Sequence, residues 1–445
     1  MNVGLASLVR DSKAKEAVSR PSLTYKEALA WLYSLQRFGI KLGLENIRRL
    51  LDELRLGSAR ALACSSRRPR REASTLPWTV IHVAGTNGKG SVCAMIDSIC
   101  RAHGYRTGLF TSPHLVTFRE RIRVNGKMIS ENAVASGLGR IRDLIADWDP
   151  HPTFFEVTTA LALKHFSEGK IDVAILETGL GGRLDATNAL QSDVSVITPI
   201  DLDHEKWLGH TLAEITAEKA GIVKQRVPVV SGPQRPKAEG IIRARAAECG
   251  APLQFINEPW NRSSVALRGQ YQKYNAAVAI AAIHAANIPV DEKAVVRGLA
   301  AIEWPARFQN WDQRTVIDGA HNPAAARMLA ETWREIFGDQ HATLMLAVLS
   351  DKNLQRICEA LAPITNSVVL PKIRSERAAA PEQLAKVLSH ITPPLPYSIT
   401  SSIAEALDLA QAKANPILIT GSLHFAGEVL AHLLDESAAF EDCAQ

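Results

Sequence analysis

The stretch Val80-Ile81-His82-Val83-Ala84-Gly85-Thr86-Asn87-Gly88-Lys89-Gly90-Ser91 decides the fold. Before it, Thr79 to Ala84 reads as a short buried strand. After it, apolar residues at Val92, Met95, Ile96, Ile99 and Cys100 keep helical spacing until near Gly104. A glycine-rich turn between a strand and a helix N-terminus is a cradle for phosphate. Its backbone N–H groups point inward, the helix dipole adds positive potential, and a lysine reaches the terminal phosphates. The stretch departs from the general phosphate-loop pattern, because Val83 stands at the first glycine position and Gly90 separates Lys89 from Ser91. An ordinary glycine-rich turn is the alternative reading, but it gives no local reason for a lysine at position 89.

Further along, polar residues collect at the ends of apolar runs. Thr107 to Thr111 reads as a strand stopped by Ser112-Pro113-His114. Arg119 to Val124 with the Asn125-Gly126 turn reads as a hairpin or extended arm. Helices are expected near Ser130 to Trp148 and Phe155 to Glu168. Ile171 to Leu176 is nearly all apolar, as a strand buried on both faces should be, and it runs into Glu177. Val194 to Ile200 runs into Asp201-Leu202-Asp203-His204. A helix from Leu212 to Lys224 carries Lys219 at mid-length, and Val227 to Val230 is a further strand. Alternating strands and helices describe an α/β, doubly wound parallel sheet, whose ligands bind beyond the carboxyl ends of the strands. Lys89, Ser112, Glu177 and His204 all fall there.

Upstream, Thr24 is placed to cap a helix running to about Phe38, and a second helix is expected from Leu44 to Leu56. Met1 to Arg20 reads as loosely attached, and Gly57 to Pro77 as a mobile, basic linker. Downstream, Asn275 opens an alanine-rich helix to about Ala286. Trp304 to Phe308 forms a junction, and a second βα unit restarts at Thr315. Strands near Thr343 to Leu349, Ser367 to Leu370 and Pro416 to Thr420 complete a smaller C-terminal α/β domain. The expected domains are 1–308 and 309–445, with no internal repeat.

The chain has 445 residues, 46% hydrophobic and 22% charged, which is ordinary for a soluble globular protein. No apolar run approaches the roughly 20 residues of a membrane span, and Met1 to Arg20 has no secretory pattern. Six scattered cysteines without a Cys-x-x-Cys pair favour the cytoplasm over a disulfide scaffold or structural zinc. The net charge of +5 owes much to Arg67-Arg68-Pro69-Arg70-Arg71, which has no aromatic neighbours and reads as a solvated loop, so no nucleic-acid partner is expected.

From the residues alone, Glu177 is either a solvated charge or a magnesium ligand, since Mg²⁺ prefers hard oxygens and bridges phosphates. His204 is either a loop histidine or a ligand, and Lys219 is by default a surface lysine. Taken together, however, several blocks occur in order. They are Gly85-Thr-Asn-Gly-Lys-Gly-Ser91, Thr111-Ser-Pro-His114, Glu177-Thr-Gly-Leu-Gly-Gly-Arg-Leu-Asp-Ala-Thr-Asn188, Asp203-His204, Glu218-Lys-Ala-Gly221 and Asp318-Gly-Ala-His-Asn-Pro323. From about residue 24 to 432 the chain resembles the folylpolyglutamate synthase/dihydrofolate synthase branch of the Mur ligase superfamily. The Glu177 to Asn188 block is the most specific part, because cell-wall Mur enzymes do not share it.

The resemblance implies a P-loop NTPase-like, doubly wound N-terminal domain and a smaller Rossmann-like C-terminal domain. It implies an ATP-dependent ligase that activates a pterin carboxylate as an acyl phosphate and joins L-glutamate to it. The pterin is dihydropteroate, a reduced folate, or both. Thr86, Asn87, Gly88, Lys89, Gly90 and Ser91 match the phosphate-holding loop. Asn275, Arg307 and Asp318 match nucleotide contacts, with His321 beside them. Ser112, Glu177 and His204 match ligands of two magnesium ions, and Lys219 a lysine that the family carbamylates into a further ligand. Gly39, Ile40, Lys41, Leu42, Thr153, Phe155, Leu184, Asp185 and Ala186 match pterin positions. A monomer is expected. Pro199, before Asp203-His204, departs from the family pattern, as does His424 near the C-terminus. Two other readings stay open: a superfamily ligase with a non-folate acceptor, and a nucleotide-binding protein without catalysis.

Overall fold

A computed structural model describes residues 23–39, 43–56, 76–436 and 440–441. Ile40, Lys41 and Leu42 lie outside the described residues, as do residues 1–22 and most of the basic linker. Eight strands build the first sheet: β1 Thr79–Ala84, β2 Thr107–Phe110, β3 Ile122–Val124, β4 Lys127–Met128, β5 Val173–Glu177, β6 Val194–Ile197, β7 Val229–Ser231 and β8 Leu253–Phe255. Their spatial order is β4-β3-β2-β5-β1-β6-β7-β8. Six of them run parallel, while β3 and β4 form the antiparallel hairpin around Asn125-Gly126.

The sheet is doubly wound, because its central strands β1, β2 and β5 bury apolar side chains on both faces. Val80, Phe110, Ala174 and Leu176 pack under the helices Tyr25–Ser34, Glu45–Glu53, Glu131–Leu144 and Phe154–Glu168. Ile81, Val83, Leu109, Val173 and Ile175 point the other way, toward the helices Lys89–His103, Gln270–Ala285 and Glu292–Ala300. Strand order reverses at β1, between β5 and β6, and the crevice beyond their carboxyl ends is the switch point where such sheets bind ligands.

A second sheet of six strands follows: β9 Gln309–Asn310, β10 Thr315–Ile317, β11 Ala342–Leu346, β12 Thr365–Pro371, β13 Tyr397–Thr400 and β14 Ile417–Thr420. Its order is β13-β12-β11-β14-β10-β9, all parallel except β9. The very short or half-exposed strands β8, β9 and β13 carry little apolar pattern, and the sequence reading passes over them.

In two helices a candidate residue sits elsewhere than expected. Asn275 does not open its helix. Gly269, at φ +99°, ends the preceding loop, so the helix starts at Gln270 and Asn275 lies one turn inside. Lys219 is not at mid-helix. The helix Leu212–Ala220 stops at Gly221, which places Lys219 in its last turn.

One tight contact fixes the helix that follows the glycine loop. A Cβ at Gly298 would lie 2.6 Å from the Ile99 Cα, so the helices Glu292–Ala300 and Lys89–His103 touch backbone to backbone. Ser98 Oγ also donates to the Gly298 carbonyl at 2.8 Å. Gly298→Ala should therefore lower the unfolding free energy by about 1–3 kcal/mol, read from urea denaturation. An unchanged midpoint would mean that the two helices can part without cost.

Candidate active site

The carboxyl ends of β1, β2, β5 and β6 open into a cavity of about 1130 Å³ that the second sheet closes from the far side. Thr86 to Ser91 form its floor. Gly88, at φ +89°, turns the chain into the helix Lys89–His103, and a Cβ there would meet the Asn275 side chain at 2.7 Å. The amides of Lys89, Gly90 and Ser91 have no intrahelical acceptor, because the helical ladder begins with Val92 N–H on Gly88 O. Not every loop amide points inward, however. Those of Thr86 and Asn87 donate to the Pro199 carbonyl at 3.1 and 3.2 Å. Thr86 Oγ1 likewise bonds the Asp201 backbone, so Pro199 and Asp201 brace the loop from β6.

Lys89 Nζ donates to Thr86 O at 3.3 Å, and Lys219 Nζ donates to Gly85 O at 2.9 Å. Glycines of the block after β5 bring Lys219 there. A Cβ at Gly182 would lie 2.8 Å from Lys219 O, and one at Gly221 would strike Arg183 Cβ. The loop thus lies directly on the end of the helix Leu212–Ala220, pinned by Arg183 N–H on Glu218 O and the Arg183–Glu218 ion pair at 2.8 Å. Burial first, and the Lys89 charge second, bring the Lys219 pKa down to about 7.

Glu177 ends β5 and is buried. Its Oε2 accepts from Ser112 N–H at 3.2 Å, and Oε1 has no hydrogen bond among the described residues. Burial raises its pKa, while Lys89, the Ser112 amide, Arg307 and Arg121 pull in the opposite direction. His204 sits at φ +53° with its amide on Asp203 Oδ1, and burial brings its pKa to about 3, so the ring is neutral at pH 7. A serine hydroxyl, a carboxylate with a spare oxygen and a neutral imidazole suit a divalent cation; an unmodified lysine does not.

The second sheet supplies the remaining wall. Asp318 follows β10 and accepts the N–H of Phe308 at 2.7 Å and of Ala320 at 2.8 Å. Its pKa is raised by burial, against Arg307 and those amides. Ala306 and Phe308 both take positive φ around Arg307, so Asp318 holds a left-handed turn that neither side chain favours. His321 Nδ1 donates to Gly319 O.

Four residues also tie the two sheets together. Asn87 and Asn322 exchange amide hydrogen bonds at 3.3 and 3.0 Å. Asn322 Nδ2 reaches Asp203 Oδ2 at 3.1 Å, and Lys352 Nζ reaches Asp203 Oδ1 at 2.6 Å. The sequence reading assigned no role to Asn322 or Lys352. The only local sign was Asn322-Pro323, a helix-cap pair.

Of the positions matched to pterin contacts, Gly39, Thr153, Phe155, Leu184, Asp185 and Ala186 line the cavity. Thr153 is the capping residue of the helix Phe154–Glu168, and Asp185 is spent on its own loop, accepting the amides of Gly179, Leu180 and Thr187. Both shape the pocket wall. Phe155 lies across Gly179, where a Cβ would sit 2.5 Å from the ring.

Comparison with known proteins agrees with this arrangement. The Mur ligase middle domain family matches residues 83–230, and the Mur ligase glutamate ligase domain family matches residues 306–423. The dihydrofolate synthase/folylpolyglutamate synthase of Bacillus subtilis is 31% identical, over 92% of this chain and 99% of the relative. The solved Escherichia coli FolC in complex with DHPP and ADP is 32% identical, with a TM-score of 0.79 over 92% of this chain and 97% of that chain. The bifunctional folylpolyglutamate synthase/dihydrofolate synthase from Yersinia pestis, complexed with AMPPNP and Mn, is 31% identical, with a TM-score of 0.80 over 93% of this chain and all of that chain (100%). With a phosphate loop, a glycine-rich block after β5 and a second α/β unit closing one cavity, the chain belongs to the Mur ligase family, in its dihydrofolate synthase/folylpolyglutamate synthase branch.

Proposed function

We propose that this chain is an ATP-dependent ligase of folate metabolism that joins L-glutamate to the carboxylate of dihydropteroate, a reduced folate, or both. The observation that carries the reading is that one cavity is lined by the phosphate loop and Glu177 from the first unit and by Arg307 and Asp318 from the second. A pterin carboxylate oxygen takes the γ-phosphoryl group and ADP departs. The glutamate amine then attacks the carbonyl carbon of the acyl phosphate, the carbon–oxygen bond breaks, and phosphate leaves with that oxygen.

Phosphoryl transfer needs alignment and charge neutralisation more than covalent help. Lys89 and the amides of Lys89, Gly90 and Ser91 hold the β- and γ-phosphates. Asn275, Arg307 and Asp318 seat the nucleotide, with His321 beside it. Gly39, Phe155, Leu184 and Ala186 receive the pterin, and Thr153 and Asp185 keep that wall in place. The closed junction keeps water from the acyl phosphate. Magnesium ions held by Ser112, Glu177, His204 and modified Lys219 would neutralise phosphate charge.

That modification is a carbamate. A neutral amine at Lys219 attacks CO₂ and releases a proton, and a pKa of about 7 leaves much of it neutral under ordinary conditions. The product exchanges a cation beside Lys89 for an anion. We take 1–308 and 309–445 as the two domains and the protein as a cytoplasmic monomer. In support, Cys93, Cys100, Cys249 and Cys358 are free and buried, and among the described residues no helix is long and apolar enough to cross a membrane.

Phosphate release from ATP with Mg²⁺ and L-glutamate, compared between dihydropteroate and tetrahydrofolate with product masses, tests the reading. Release with both, each product heavier by one glutamyl unit, marks a bifunctional enzyme, and release with one assigns a single step. Independence of either pterin refutes the folate reading. For the carbamate, ¹³C-labelled bicarbonate should give a protein-bound NMR signal that strengthens as pH rises from about 6 to 8, because the neutral amine is the reactant. Lys219→Ala should lack that signal and lose most of kcat, with partial rescue by short carboxylic acids. Full activity in that variant refutes the role.

A further inference from the structure

The segment Ser112 to Phe118 belongs to the first sheet's unit in sequence, yet the end of the chain holds it. On one side, the helix Leu423–Leu433 presents Gly427, where a Cβ would lie 2.0 Å from the Leu115 carbonyl oxygen. Leu115 and Val116 pack into the same cluster as Phe425, Ala426, Val429 and Leu430. On the other side lies Phe440-Glu441, with the Phe440 ring edge-on to His424 at 5.2 Å.

Glu441 makes five bonds there. Its Oε2 accepts the Phe118 N–H and, at 3.3 Å, the Thr117 hydroxyl. Its Oε1 accepts the Tyr25 hydroxyl at 2.9 Å, from the first helix. Its amide donates to Val116 O at 2.8 Å, and its carbonyl accepts from His114 Nε2 at 3.1 Å. Because that ring nitrogen faces a carbonyl, it carries the proton. His114 Nδ1 is thereby free to accept from the Nε of fully buried Arg121 at 2.8 Å. Arg121 is one of the charges acting on Glu177. The segment is already stiff, with the amides of Leu115, Val116 and Thr117 on the Glu120 carboxylate. Its position as a unit is therefore set by what grips it from outside.

We propose that Glu441 is a positioning residue for the ligation: it clasps the Ser112–Phe118 segment and the first helix to the C-terminal unit, and so sets Ser112 and the His114–Arg121 pair against Glu177. The proposal rests on the functional reading given above. It accounts for a half-buried carboxylate near position 440 whose bonding partners, Tyr25, Val116, Thr117, Phe118 and His114, stand behind the cavity wall rather than in it.

The experiment compares Glu441→Ala and Glu441→Gln with the full-length chain, by steady-state ligation and by amide hydrogen exchange without substrates. In Glu441→Ala, kcat should fall about 10- to 100-fold with the KM for ATP within about two-fold, since a small displacement of a reacting group costs that much rate. Exchange over 112–118 should quicken at least about ten-fold while the β1 and β5 amides stay protected. Glu441→Gln keeps an oxygen for the Phe118 amide and should restore kcat to within about three-fold of the parent chain. An unchanged kcat, unchanged exchange over 112–118, or a loss spread across the whole molecule that glutamine does not rescue would overturn the proposal. The exchange readout needs no turnover, so a parent chain inert toward both pterins would fault the functional reading and leave the clasp separately tested.

Discussion

Two lysine ammonium groups rest on carbonyls of one glycine loop, Lys89 on Thr86 and Lys219 on Gly85, at the bottom of a largely buried cavity. Like charges in a poorly screened space repel strongly, and removal from water disfavours each of them further. The fold tolerates the pair by letting Lys219 lose its proton readily and by placing Glu177 within the field of Lys89. What remains is positive potential surrounded by helix amides, with a buried carboxylate and a neutral imidazole beside it. That combination awaits a polyanion and a divalent cation, and perturbed groups of this kind gather where chemistry is done.

The two sheets contribute unequal things. The first supplies the loop, Glu177 and His204 from adjoining strand ends. The second supplies Arg307 and Asp318 and a cover. Asn87, Asn322, Asp203 and Lys352 fasten the two through direct side-chain hydrogen bonds, so cleft geometry and charge balance are set by the same side chains. An acyl phosphate is lost to water unless its site is shut. A junction held by hydrogen bonds, with strained turns at Ala306 and Phe308, can close and still reopen.

Much of this could be read from the chain because it is local. The strand–loop–helix around Lys89, the apolar run ending in Glu177 and the restart at Thr315 are each written within a dozen residues. Other features depend on pairings far apart in sequence. Lys352 finds Asp203 across 149 positions, and Asn322 finds Asn87 across 235, with nothing nearby to announce either. Asn275 was misplaced as a helix start because its alanines outweigh the start signal of Gly269. Lys219 was read at mid-helix because Gly221 does not stand out amid helix formers. That the amides of Thr86 and Asn87 turn to Pro199 was equally hidden, because Pro199 takes its place only once β6 lies beside β1.

The central claim is that the cavity moves a phosphoryl group onto a carboxylate before the amide bond forms. A pterin substrate labelled with ¹⁸O in its carboxylate, turned over with ATP and L-glutamate, tests this directly. The account predicts one labelled oxygen in each phosphate released, carried over when the acyl phosphate is cleaved. Phosphate free of label, alongside normal glutamyl product, would contradict it.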